Sequence, residues 1–212
     1  MAAFRPQDDE ALAALPLPLR SVGIECDVPV DHLPDASDRV FGRRHVESDG
    51  RASSRTQFGL VDVGQIACGA GRMSPLIFIQ EESQRATVFL CQSGQPLYQE
   101  ARLRIPLQPG AILVNPNDGG QLRSHYSSNV FFQVQRQTLQ RTILAMSGIQ
   151  LDRVLEDPCV WGCDAARTGR KLFDLFGFLD QVLARGRSLP SALGLDDQIY
   201  RVLALLILPR DG

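Results

Sequence analysis

From residue 55 to about residue 136 the chain repeats one pattern, a short apolar run followed by a turn signal. The runs are QFGLVDV, GQIAC, LIFIQ, ATVFLCQ, PLYQEA, LRIPL, AILVN and NVFFQVQ. The turn signals between them include Cys68-Gly-Ala-Gly71, Ser93-Gly94, Pro109-Gly110 and Asn115-Pro-Asn-Asp-Gly-Gly120. Many short strands at close spacing specify an antiparallel sandwich or barrel. The alternation is imperfect: Thr87 to Cys91 is apolar on both faces, which suits a strand covered on both sides.

From about residue 137 the period becomes helical. Leu139, Ile143 and Met146 fall at i, i+4 and i+7, and Gly148 sits where a C-cap glycine belongs. Leu172, Phe173, Phe176, Leu179, Val182 and Leu183 make a second stripe, ended by Gly186. A last helix starts near Ser191 or Asp196, carries Ile199, Val202, Leu203 and Leu206, and stops at Pro209. Strands first and helices last is the α+β order. Three regions follow: an irregular Asp-, Pro- and Arg-rich arm over 1–54, a barrel over 55–136 and a helical segment over 137–212. Within the arm, residues 8–14 read as a short helix and ESDGRASS (47–54) as a loop.

The 212 residues, 44% of them apolar, supply one sizeable core. A net charge of −2 argues against a phosphate-gripping surface on this chain alone, because neutralising phosphates supplies most non-specific affinity. The N-terminal stretch lacks a basic region and is interrupted by acids, unlike a signal peptide. No stretch approaches the ~18 apolar residues of a membrane span. The five cysteines read as reduced thiols, so a cytoplasmic protein is expected.

Catalytic constellations are thin. The histidines are His32, His45 and His125, with only His125 in the barrel region, so a convergent three-His site is not expected. Cys159-Val-Trp-Gly-Cys163 is one residue longer than Cys-x-x-Cys and has no second ligand pair. A pair of thiols packed near Trp161 is the simpler reading. No Gly-x-Ser-x-Gly elbow occurs, and Gly69-Ala-Gly71 lacks the Lys-Ser/Thr of a phosphate loop, so it reads as a hairpin turn. Asp196-Asp197 suits the first turn of a helix, where the macrodipole favours negative charge.

The stretch ATVFLCQSGQPLYQEARLRIPLQPGAILVNPND resembles the cupin-like N-terminal barrel of AraC-family transcription regulators. Gly94, the hairpin Gln95 to Arg104, and Pro109-Gly110 before Ala111 to Val114 carry the likeness. NVFFQVQRQTLQRTILAMSG resembles that family's last barrel strand running into a helix, and DDQIYRVLALLILP the helix that ends the sensor domain. The resemblance spans roughly residues 55 to 208. It implies a cupin-like antiparallel β-barrel of the double-stranded β-helix type followed by helices. It also implies an effector bound inside the barrel and a homodimer paired through the helices. Promoter DNA would then be bound only through two C-terminal helix-turn-helix units that this chain lacks. The expected reading is a bacterial sensor and dimerisation domain, not an enzyme, with no cofactor and no metal. The alternatives are a stand-alone cupin-like metal-dependent dioxygenase or isomerase, and a purely structural dimerisation module. Against the first stands the missing cluster of His and Glu that cupin enzymes use to hold a metal.

Two sets of candidate residues result. A small, largely apolar effector is expected to meet residues drawn from Phe78, Phe89, Cys91, Tyr126, Phe131 and Gln133. Phe89 and Cys91 share a strand face, as do Phe131 and Gln133, and Gln133 and the Tyr126 hydroxyl would fix orientation. The opposite set, Val130, Phe132 and Val134, is an equal candidate for the inward face. Dimerisation is expected through Phe176, Leu179, Ile199, Val202, Leu205 and Leu206, because the last helix is apolar too widely for one neighbour.

Overall fold

The computed structural model describes residues 13–15, 26–29, 44–48, 55–73, 75–80, 85–100, 103–115, 120–148, 159–161, 170–186 and 189–208. Their strands are β1 (Cys26–Pro29), β2 (Arg44–Ser48), β3 (Arg55–Val63), β4 (Ile66–Met73), β5 (Leu76–Gln80), β6 (Arg85–Ser93), β7 (Leu97–Glu100), β8 (Leu103–Pro106), β9 (Ile112–Asn115), β10 (Gly120–Ser124), β11 (Ser127–Gln135) and β12 (Cys159–Trp161). Their helices are α1 (Arg136–Ser147), α2 (Arg170–Arg185), α3 (Leu189–Ala192) and α4 (Leu195–Ile207). Each apolar run of the barrel region lies in or along one strand.

The strands form two sheets, one in the order β1-β3-β4-β11-β6-β9-β12 and the other β2-β5-β10-β7-β8. Neighbouring strands pair antiparallel throughout. This is the α+β, cupin-like barrel with a C-terminal helical segment. No described helix is long and apolar enough to cross a membrane.

Several expectations need correction. Residues 1–54 are not uniformly irregular, since β1 pairs with β3 and β2 with β5. His45 therefore lies on a strand, whereas His32 and Cys163 lie outside the described residues. The segment from 137 is not purely helical either, since β12 pairs with β9. Gly69-Ala-Gly71 is not a turn but the middle of β4. The chain reverses instead at Gly64-Gln65, where Gly64 takes the left-handed backbone (φ +60°) that glycine adopts without strain. The sequence reading also passed over β10. Met146 does not join the buried stripe of α1: Leu139 and Ile143 are buried, and Met146 is exposed.

Other signals hold. Gly148, at φ +68°, caps α1 and donates its N–H to the Leu144 carbonyl. Asp196 and Asp197 occupy the first turn of α4. Of the six-residue stripe on α2, Phe176, Leu179, Val182 and Leu183 are buried.

Two apolar cores result, one on each face of the larger sheet. The first holds Cys68, Ala70, Val88, Leu90, Ile112, Val114, Val130, Phe132 and Val134 against α1, α2 and α4. There the Phe132 and Phe176 rings lie 4.9 Å apart, tilted by 36°. The second lies between the two sheets and holds Phe58, Leu60, Met73, Leu76, Phe78, Phe89, Cys91, Tyr98, Leu113, Leu122 and Phe131.

Candidate functional site

The period of two on β11 sends Val130, Phe132 and Val134 to the helices and Phe131 to the barrel interior. Phe78, Phe89, Cys91 and Phe131 thus fall in one interior cluster. Gln133 shares the face of Phe131 and is buried at the next inward position. Tyr126 is not in that cluster; it is half-buried in the turn between β10 and β11.

Register arranges the interior in rows. Across the middle, Leu60, Gly69, Phe131, Phe89 and Leu113 stand opposite one another on β3, β4, β11, β6 and β9. Gly69 belongs in this row because the Phe131 ring occupies the space of its missing side chain. A Cβ there would overlap the ring and lie 2.8 Å from Leu60 Cδ2. Glycine in a strand interior marks such a close approach. The smaller sheet faces this row with Phe78, Leu122 and Tyr98, which are register partners in turn.

Polar rows bound the apolar one on either side. Toward the β11 C-terminus, Gln133, Thr87 and Asn115 stand in register and are all buried. The Arg85 guanidinium donates to Gln133 Oε1 at 3.4 Å. Toward the β11 N-terminus lie Ser124, Ser127 and Asn129, also buried. Sequence reasoning missed Leu60, Gly69, Thr87, Asn115, Leu122 and Asn129. The alternate glycines at 69 and 71 were the available signal, since both point to one face and leave room for large side chains from the neighbouring strand.

Burial pushes the Cys91 thiol up to about 12. The sulfhydryl donates weakly to the Ser93 and Gly94 carbonyls, each at 3.6 Å. Cys68, sealed on the helix side, is pushed up further by burial and then by the Asp62 carboxylate. Both thiols are therefore protonated, apolar fillers at neutral pH. Among the described residues, no three His, Cys, Asp or Glu side chains are grouped so as to hold a metal ion.

The apolar side chains on the two faces of the central strands are all buried. On β4, β6, β9 and β11 the helix-facing apolar side chains are at most 1% exposed. On the interior face of the same strands Phe131 is 8%, Met73 7%, Phe89 4% and Leu113 3% exposed, with Cys91 fully buried. Both cores are buried, and each has its most exposed members near 8–9%: Val61, Val182 and Leu206 on the helix side, and Phe78, Leu122 and Phe131 in the interior.

The expected dimerisation residues also sort by burial. Phe176, Leu179, Ile199 and Leu206 are not surface residues; their side chains fill the helix-side core of their own subunit. The stripe that faces a neighbour is satisfied by the sheet, which removes them from any outer face. Val202 is half-buried, and Leu205 is 53% exposed.

No family model matches the chain, and no curated protein matches it. Among solved structures, the AraC-like transcriptional activator CuxR superposes with a TM-score of 0.58 at 11% identity, over 84% of this chain and 66% of that one. The chain therefore spans slightly less than two thirds of that activator. Smaller partial likenesses include a cupin superfamily protein from Desulfitobacterium hafniense, with a TM-score of 0.34 at 12% identity over 38% of this chain and 76% of that one. Another is a cupin-like protein from Thermotoga maritima, with a TM-score of 0.36 at 11% identity over 44% and 80%. The barrel followed by helices is thus the fold that an AraC-like transcriptional activator also carries.

Proposed function

We propose that this chain is the effector-sensing and dimerisation part of an AraC-type transcription regulator, with no catalytic activity of its own. A small, largely apolar molecule enters the barrel and packs on Phe78, Phe89, Cys91 and Phe131, with Gln133 and Tyr126 near its ends. The single observation that carries this reading is the apolar interior row of Leu60, Phe131, Phe89 and Leu113, bounded on either side by buried polar side chains. A concave apolar interior with a few polar groups at its ends is the usual form of a small-molecule site.

In this reading the subunit pairs with a second copy through apolar side chains that its own core leaves out. Leu205 on α4 and Phe178 on α2 are among the exposed ones, and Val202 on α4 is half-buried. Promoter DNA is bound by helix-turn-helix units outside this chain, in the cytoplasm. The likeness to an AraC-like activator supports this part.

A thermal-shift screen of small uncharged aromatic molecules tests the pocket. At least one should raise Tm by several degrees, and Phe131→Ala should fold and lose that rise. A solid core would show no ligand response in the parent and severe destabilisation in the variant. Light scattering should give twice the subunit mass of 23.4 kDa. A gel shift at physiological salt should show no sequence-selective retardation of promoter DNA by this chain alone.

A further inference from the structure

At the end of the barrel where β11 begins, buried polar side chains form a one-way chain of hydrogen bonds. Asn129 Nδ2 donates to Ser127 Oγ at 2.8 Å and makes a weaker contact with Met73 Sδ at 3.7 Å. Ser127 and Ser124 are hydrogen-bonded through their hydroxyl oxygens. Ser124 Oγ donates to the His125 carbonyl at 2.6 Å. Each hydroxyl has one proton. Ser124 spends its proton on His125, so Ser127 must donate to Ser124 and can only accept from Asn129. Turning the Asn129 amide over would demand a second proton from Ser127. The chain therefore fixes the orientation of the amide, which distances alone do not reveal.

The consequence falls on Asn129 Oδ1. The residue is 0% exposed, and this oxygen has no hydrogen-bond partner among the described residues. A buried carbonyl without a donor is costly and rare in a folded protein. Asn129 lies on the interior face of β11, two residues before Phe131. Asn129 is in register with Gly71 on one side and Cys91 on the other, both small, and the β11–β6 pairing shifts register between Ser128 and Asn129. Irregularities of that kind re-aim a side chain and recur beside functional sites. Thr56 Oγ1, buried beside Met73 in the next row, is likewise unpartnered among the described residues.

We infer that Asn129 Oδ1 is the specificity-determining acceptor of the barrel, and that it takes an uncharged hydroxyl or N–H donor carried on an apolar body. This rests on the reading of the barrel interior as an effector site. The donor group is uncharged because its immediate surroundings are apolar, and Cys91 beside it is a protonated thiol. A carboxylate or phosphate would also meet Oδ1 with a lone pair instead of a proton.

The test compares phenol with toluene, which differ by a hydroxyl against a methyl group, binding to the full chain by calorimetry and thermal shift. Phenol should bind at least about tenfold more tightly, the discrimination a site with an unpaired buried acceptor gives. Asn129→Leu should bind the two equally and, without probe, melt no lower than the parent. Asn129→Met provides the same comparison if the leucine variant does not accumulate. Equal binding of phenol and toluene by the parent overturns the role of Asn129 and leaves the barrel as an apolar site. Binding of neither overturns both readings. Failure of both variants to fold makes the amide a structural element and overturns the inference.

Discussion

The larger sheet has two faces built from the same strands, and they are covered by different elements, helices on one and a second sheet on the other. On one face Val130, Phe132 and Val134 meet Phe176, Leu179, Ile199 and Leu203 with almost no exposure. On the other, Phe131, Phe89 and Leu113 lie in the core between the two sheets. Hydrophobicity is alike on both sides, so composition does not explain the difference. Shape does. Helices supply ridges that settle into the sheet, whereas two curved sheets joined into a barrel enclose a volume that side chains alone must fill.

The adjacent phenylalanines on β11 sharpen this. Phe132→Ala should have the largest effect, a loss of ~3–5 kcal/mol in urea unfolding, because it empties a closed site and strips the ring from Phe176. Phe131→Ala should lose less by at least ~1 kcal/mol, since its ring is 8% exposed against 1% for Phe132. Equal losses at 131 and 132 would erase the distinction between the faces. Next in size is the response to alkali. Cys91 has its pKa raised from 9.0 to about 12, so the folded state keeps a proton that the unfolded chain releases. The stability this contributes is fully present below pH 9 and falls as pH rises toward 12. Cys91→Ala should flatten that decline in a series of unfolding curves. In native-state alkylation at pH 9, Cys91 should label before Cys68, and the reverse order would place the more reactive thiol on the helix side. The smallest effect belongs to Leu205→Ser, within ~0.5 kcal/mol for the isolated subunit. Sedimentation at falling concentration should nonetheless show earlier dissociation; an unchanged dimer would move the contact elsewhere.

Much of this was legible in the sequence because turn chemistry is local. Gly94, Pro109-Gly110, Gly148 and Gly186 fall where a turn or a helix end requires them, and their meaning needs no distant partner. The face of β11 was not legible, since Phe131 and the set of Val130, Phe132 and Val134 are equally apolar. Only the arrival of α2 and α4 decides between them. Gly69 misled for a physical reason: glycine serves both to turn a chain and to admit a neighbour's bulk, and the neighbour here is 62 positions away on another strand. The short strands β1 and β2 owe their conformation to β3 and β5, a debt no local window contains. Asn129 was invisible because its importance lies in a missing partner, and that becomes apparent only when every proton around it has been assigned.

The junction of β11 and α1 has a mechanical meaning. The strand ends at Gln135 and the helix begins at Arg136, with no residue between them. The Gln135 N–H is held by the Tyr200 hydroxyl of α4 at 3.0 Å. A flexible linker would absorb a rotation; this splice has no slack in which to do so. The backbone under Phe131 is thus joined to the first helix by direct chain continuity and to the last by a hydrogen bond.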